Sequence, residues 1–197
     1  MPNIKISGIT NTKDAKWAAL LGVEYISISL VKESTKKVSL RRAAEILELL
    51  PSYTGTILEI GNTENDISFK KAAALEPDYF SISDPSAVEA ISSYNKPDRR
   101  QKFILELSPP QEEEKLPDEI EFVQFNLDGE SAGDLDEVDF ESNKDIIVNG
   151  DFELSEIIKL CKKINPHAWS IRSVIEKSPR RIDYDKMKEY IREIALV

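Results

Sequence analysis

The sequence predicts an α/β fold, a single minimal (β/α)8 (TIM) barrel spanning residues 1–197. Three observations predict it. Short runs rich in Ile, Val, Phe and Tyr recur about every 20 to 25 residues. Segments of helical periodicity separate most of them. No Gly/Ser linker or break in composition divides the chain. Strand–helix alternation repeated eight times closes into a parallel barrel. The competing fold, an open doubly wound sheet, usually has fewer strands and a Gly-rich first turn, and Ser7-Gly8-Ile9-Thr10 is not a G-x-G-x-x-G.

The eight expected strands are residues 4–9, 24–31, 56–60, 79–83, 102–107, 122–128, 145–149 and 168–173. After the first, Ala15, Ala18, Ala19 and Leu20 share a helical face and Gly22 follows as a stop. After the second, Ala43, Ile46, Leu47 and Leu50 form a stripe that ends at Pro51. Asp84-Pro85 reads as an N-cap followed by proline at the first helical position. Leu154, Ile157, Ile158, Cys161 and Ile164 form a further stripe, and Tyr184, Met187, Ile191 and Ile194 the last. The connections after strands five and six are acidic and weakly periodic, so weak or irregular helices are expected there.

With 41% hydrophobic and 31% charged residues the composition is that of a water-soluble domain. No run approaches the length of a membrane span, and residues 1–5 contain no apolar signal core, so a cytoplasmic protein with no membrane partner is expected. The net charge of −10, without a basic stripe to offset it, argues against nucleic acid. One cysteine, Cys161, excludes an intrachain disulfide, and neither a metal nor a cofactor is expected. Cys161 falls on an apolar stripe and reads as a buried thiol. His167, the single histidine, precedes the eighth strand, on the face opposite a barrel's active site. Trp17 and Trp169 read as packing residues.

Alternation sends every second strand residue into the barrel. Helices pack outside, so the polar parity points inward: Lys5 and Ser7, Ser27 and Ser29, Ser81 and Ser83, Gln124, Asn126 and Asp128, Ser170 and Arg172, with Glu59 and Glu106 on the same parity. A strongly polar interior is therefore expected. Buried charges cost several kcal/mol each unless paired, so this set is either an ion-pair network or a wet functional pocket.

Lys5-Ile6-Ser7-Gly8-Ile9-Thr10-Asn11 resembles the K-[IV]-C-G-[IL]-[TR] opening of phosphoribosylanthranilate isomerases, short (β/α)8 barrels of tryptophan biosynthesis. Ala18-Ala19-Leu20-Leu21-Gly22-Val23, Ser34-Thr35-Lys36-Lys37-Val38-Ser39, Phe125-Asn126-Leu127-Asp128 and Ser173-Val174-Ile175-Glu176 with Pro179 and Asp183 resemble later segments in the right order. The resemblance implies an Amadori rearrangement of a small phosphorylated or carboxylated metabolite, in a monomer or homodimer. It places the general acid at Asp128, the base at Ser7 (a cysteine in the family) or at a nearby carboxylate such as Glu59 or Glu106, and a substrate carboxylate contact at Lys36, an arginine in the family. Asn149-Gly150 is what remains of the family's seventh-strand A-G-G, and Arg172 joins the substrate-facing set by parity. The departures fall on the chemistry and leave two alternatives open, a non-catalytic relative acting as a binding or assembly partner and a barrel with a different small-molecule substrate. A serine hydroxyl needs an activating base where a thiol does not. Val174 replaces a glycine, and Asp134 and Asp151 add charge where a phosphate dianion would bind.

Overall fold

The computed structural model describes residues 2–61, 66–92, 102–107, 116–127, 142–161 and 164–196. Eight strands pair in chain order and all in parallel: β1 (Asn3–Ile6), β2 (Tyr25–Ser29), β3 (Gly55–Glu59), β4 (Tyr79–Ile82), β5 (Lys102–Leu107), β6 (Ile120–Asn126), β7 (Asp145–Asn149) and β8 (Ala168–Ile171). β8 returns to β1 through Asn3↔Ala168 to Ile6↔Ile171, which closes the barrel the sequence predicts.

Among the described residues, helices follow six of the strands: α1 (Thr12–Leu20), α2 (Leu40–Leu47), α3 (Asp66–Ala73), α4 (Ala87–Ser92), α5 (Leu154–Cys161) and α6 (Tyr184–Ile194). Their ends follow local chemistry. The Asn11 side chain caps α1, and Gly22, at φ +84°, accepts the left-handed turn that ends it. Ser39 caps α2 and Asp183 caps α6. α4 departs from expectation: it begins at Ala87, because the Asp84 carboxylate accepts from Ser86 N (2.8 Å) in a tight turn that keeps Pro85 outside the helix. On α5 the buried positions are Ile157 and Leu160, with Ile158 only half-buried. On α6 Tyr190 is buried beside Met187 and Ile194, and its hydroxyl reaches Phe152 O. The weak helices expected after β5 and β6, the side chain of Cys161, and Asp128 lie outside the described residues.

Two cores follow from strand parity. Ile4, Ile6, Ile26, Ile28, Leu58, Phe80, Phe103, Val123, Val148 and Trp169 face outward into the layer shared with the helices. Ile57, Tyr79, Ile104, Phe122, Ile147 and Ala168 form a separate apolar cluster inside the barrel, towards the N-terminal ends of the strands. His167 closes that end: Tyr25 Oη and Asn3 Nδ2 lie 2.9 and 3.1 Å from its Nε2, and its ring packs on Phe122 with centroids 4.6 Å apart. A further strand pair, β9 (Glu176–Ser178) and β10 (Arg181–Ile182), stands outside the barrel between β8 and α6. It turns through Arg180 at φ +66°. Nothing in the strand spacing announces it.

The inner apolar cluster makes a stability prediction. Ile147 is fully buried within it, so Ile147→Ala should cost about 2–5 kcal/mol by denaturant unfolding. Leu196→Ala, at a side chain 76% exposed, should change stability by less than about 0.5 kcal/mol. Equal effects would show that the barrel interior is not packed as described.

Candidate active site at the barrel mouth

Above the apolar cluster the interior becomes polar, and most inward side chains are held by another, while the buried Ser29 Oγ has no hydrogen-bond partner among the described residues. Lys5 is fully buried, and its Nζ donates to Gln124 Oε1 at 2.5 Å. Gln124 Nε2 donates to Asn126 Oδ1 (2.9 Å), and Asn149 Nδ2 donates to the same oxygen (2.9 Å). Asn126 Nδ2 donates to Glu106 Oε2 at 3.3 Å, and Ser81 Oγ to Glu106 Oε1 at 2.5 Å. Ser27 Oγ donates to Glu59 and accepts from Gly8 N (3.2 Å). The strongly polar interior expected from parity is thus the upper half of the barrel. The lower half is apolar because Ile57, Ile104 and Ile147 hold the same parity one layer down.

Electrostatics inside this network are set by Lys5. Burial pulls its ammonium below the ordinary lysine value. Glu59 and Glu106 pull the other way, and Arg172 adds to the depression. Desolvation wins, so the structure holds this amine with a reduced preference for its charge.

Of the sequence-predicted site residues, Ser7, Lys36, Asn149, Gly150 and Arg172 lie at the C-terminal end of the barrel, and Asp128 lies outside the described residues. Ser7 follows β1, and its Oγ lies 2.7 Å from Ser170 Oγ. Gly8 turns the chain at φ +69°, and a Cβ there would stand 3.0 Å from Lys36 Cγ, so the glycine makes room for the Lys36 stem. Arg172, just past β8, borders the same small crevice as Ser7, Thr10, Glu176 and Arg180. Lys36 is only 6% exposed, lies within electrostatic reach of Arg172, Asp151 and Asp14, and forms an ion pair with Glu176. Asn149 ends β7, 4% exposed, with its Oδ1 lacking a hydrogen-bond partner among the described residues. Gly150 has a packing role: a Cβ there would stand 2.4 Å from the Phe152 ring. Leu127, preceding Asp128, is buried and its N–H donates to Asn149 O.

Two contacts bear directly on anion binding, and sequence reasoning foresaw neither. The Asp151 carboxylate accepts from Ser173 N at 2.8 Å, at the start of the 3-10 turn Ser173–Ile175. The Glu176 carboxylate, at the start of β9, takes both the Lys36 ammonium and Arg180 N (3.2 Å). Arg180 Nη2 in turn donates to Lys37 O, tying the hairpin to the segment after β2. The signal lay in acidic residues at positions 151 and 176, but their partners are about 20 and 140 residues away in the chain.

No known family profile matches the chain. Individual relatives do. An N-(5'-phosphoribosyl)anthranilate isomerase of Acidithiobacillus ferrooxidans is 25% identical over 203 residues, covering 98% of each chain. One of Petrotoga mobilis is 27% identical over 202 residues, covering 98% of this chain and 97% of the relative. Among solved structures, the phosphoribosyl anthranilate isomerase of Thermus thermophilus superposes with a TM-score of 0.81 at 14% identity over 98% of both chains. Another, solved with reduced 1-(o-carboxyphenylamino)-1-deoxyribulose 5-phosphate, gives 0.77 at 18% identity over the whole of both. The structural likeness establishes the fold, and the relatives carry the family name that the motifs suggested.

The depressed Lys5 makes a pH prediction. Between its lowered folded value and the ordinary value near 10.5, the unfolded chain binds more protons at this site, so the site's contribution to stability rises with pH across that window. In Lys5→Met the rise should vanish. Urea unfolding of both proteins at about pH 7 and about pH 9.5 measures it, and a wild-type advantage that falls with pH would contradict the assignment.

Proposed function

We propose that this chain, a divergent relative of the phosphoribosylanthranilate isomerases, is an isomerase-type barrel of tryptophan biosynthesis chemistry, acting on a glycosylamine at its C-terminal mouth and turning over N-(5'-phosphoribosyl)anthranilate poorly. The observation that carries this reading is convergence. Ser7, Lys36, Asn149 and Arg172, drawn from four separate parts of the chain, gather at one end of a barrel whose relatives match it over nearly its full length.

In the rearrangement an acid protonates the sugar ring oxygen, the ring opens to an imine, and a base removes the C2' proton to give the enolamine. Asp128 takes the acid's part by its place in the sixth-strand motif. Ser7 stands at the base position, but its partner Ser170 is another hydroxyl and supplies no proton acceptor of suitable strength. The carboxylate connected to this turn is Glu59, reached from Gly8 N through Ser27 Oγ. Glu59 is therefore the group we assign to proton abstraction, with Ser7 lining the path. Lys36 and Arg172 supply positive charge for the substrate's aryl carboxylate, Lys36 in competition with Glu176. Asn149 offers an acceptor to a sugar hydroxyl.

A second reading, a non-catalytic relative retained for binding or assembly, is favoured by the same contacts that weaken the first: Asp151 on Ser173 N and Glu176 on Lys36. Turnover separates the two. Freshly made phosphoribosylanthranilate is followed by loss of its fluorescence, alongside rescue of a tryptophan auxotroph lacking the isomerase. Ser7→Cys alone should raise the rate by less than about tenfold, because positioning of the remote phosphate is still missing. Adding Val174→Gly and Asp151→Gly should raise it by at least about another tenfold. Strong turnover by the unaltered chain would overturn the poor-isomerase reading and show that the mouth already holds an adequate base and anchor.

A further inference from the structure

We infer that Glu176 is a specificity-determining residue: its carboxylate holds the place of a ligand carboxylate on Lys36, and the β9–β10 hairpin that carries it is a latch released when the ligand's carboxylate takes that place. It rests on the isomerase-type reading, in which Lys36 receives the aryl carboxylate, and adds what must move for that group to arrive.

Three observations carry it. The first is closure. The crevice bounded by Ser7, Thr10, Arg172, Glu176 and Arg180 encloses about 10 Å³, at the lower limit for a single water. A carboxylate on an aromatic ring cannot enter while the crevice keeps that form. Two of its walls, Glu176 and Arg180, belong to the hairpin.

The second is which partner is free to move. Lys36 is fixed. Its stem packs against Gly8, its N–H donates to Ser34 Oγ (3.2 Å), and Val38 N donates to Ser29 O at the end of β2 (2.9 Å). The hairpin is lightly held. Its strands are three and two residues long, residues 177–181 are exposed, and Arg180 takes a left-handed φ of +66° that side chains rarely adopt. Its tip is tied to the barrel through the Glu176–Lys36 pair and through Arg180 Nη2 on Lys37 O (3.2 Å). The base is firmer: Ile175 is buried, and Asp183 N donates to Ile175 O at 2.8 Å. Opening therefore swings residues 176–182 and leaves the base in place.

The third is the chemistry of exchange. The Lys36 and Glu176 side chains are 7% and 14% exposed, so their pair is largely desolvated. Withdrawing Glu176 alone leaves a buried ammonium unpaired, with the positive charge of Arg172 within electrostatic reach. A neutral group cannot make good that loss. An incoming carboxylate does, one anion for another. Release of the hairpin is thus tied to the ligand's carboxylate, whether or not the ligand also carries a phosphate.

Site-resolved amide exchange by NMR on the intact protein tests this. The two probes are reduced 1-(o-carboxyphenylamino)-1-deoxyribulose 5-phosphate and its carboxamide counterpart, so the phosphate is common to both. The carboxylate should speed exchange of the Arg180 N–H, whose acceptor is Glu176, by about tenfold or more, while the Asp183 N–H stays protected. The carboxamide should change neither by more than about twofold. Glu176→Gln removes the charge and keeps the shape. It should speed Arg180 N–H exchange by about tenfold without any ligand, and should lower the Kd of the carboxylate by about tenfold and that of the carboxamide by less than about twofold. The comparison of the two probes on the unaltered chain stands even if that variant fails to fold. An Arg180 N–H that stays protected with the carboxylate bound overturns the latch, as do equal responses to the two probes or failure of the carboxylate to bind. Turnover is scored separately. Release of the hairpin without rearrangement of phosphoribosylanthranilate fails the isomerase reading and leaves the latch standing. Rearrangement with the Arg180 N–H still protected fails the latch alone.

Discussion

Closure of the sheet between β1 and β8 is the constraint on which everything else depends. Once eight strands form a ring, every second residue of each must enter one small enclosed space, and no side chain there can turn to solvent except at the ends. The sequence meets that constraint in two ways. Near the N-terminal ends it supplies Ile57, Ile104, Phe122 and Ile147, which fill the space by packing. Near the C-terminal ends it supplies Lys5, Gln124, Asn126, Glu106, Ser81 and Asn149, which fill it by pairing. A buried lysine is tolerable only in such company, and its depressed charge preference records that burial outweighs the carboxylates around it.

The same ring brings the ends of distant strands to one mouth, and there the chain satisfies itself. Asp151 lies two residues beyond β7 and Ser173 two beyond β8, so pairing of those strands is what lets the carboxylate reach the amide. Glu176 enters β9 just after the 3-10 turn and reaches back to Lys36, which Gly8 admits by having no side chain of its own. These contacts tie the ends of distant strands together at the mouth. Relatives over the whole length are named for a phosphorylated substrate. The contrast between that name and these contacts is the physical content of this chain's divergence.

The ring was legible in the sequence because it rests on local periodicity. The strands around Tyr25, Tyr79, Lys102 and Asp145 fall within a residue or two of where alternation places them. The polar parity of Lys5, Ser27, Gln124 and Ser170 was legible for the same reason. What was not legible depends on pairs far apart in the chain. Glu176 as the partner of Lys36, Asp151 as the partner of Ser173, and Phe152 as the reason for Gly150 each require the closed barrel before they can be seen. The β9–β10 hairpin escaped because its strands are three and two residues long, too short for a period to show. The start of α4 was misplaced because Asp84 can serve an Asx turn as readily as a cap, and only the geometry of Ser86 decides between them.

The proposed function, a divergent isomerase-type barrel whose Asp151 carboxylate works against anion binding at its mouth, is tested most directly by a crystal structure of this protein soaked with reduced 1-(o-carboxyphenylamino)-1-deoxyribulose 5-phosphate. The account predicts that Asp151 Oδ1 stays on Ser173 N, as at 2.8 Å here, with the polyol against Asn149 and the phosphate directed away from that amide. A phosphate bound to Ser173 N, with Asp151 turned aside, would contradict it.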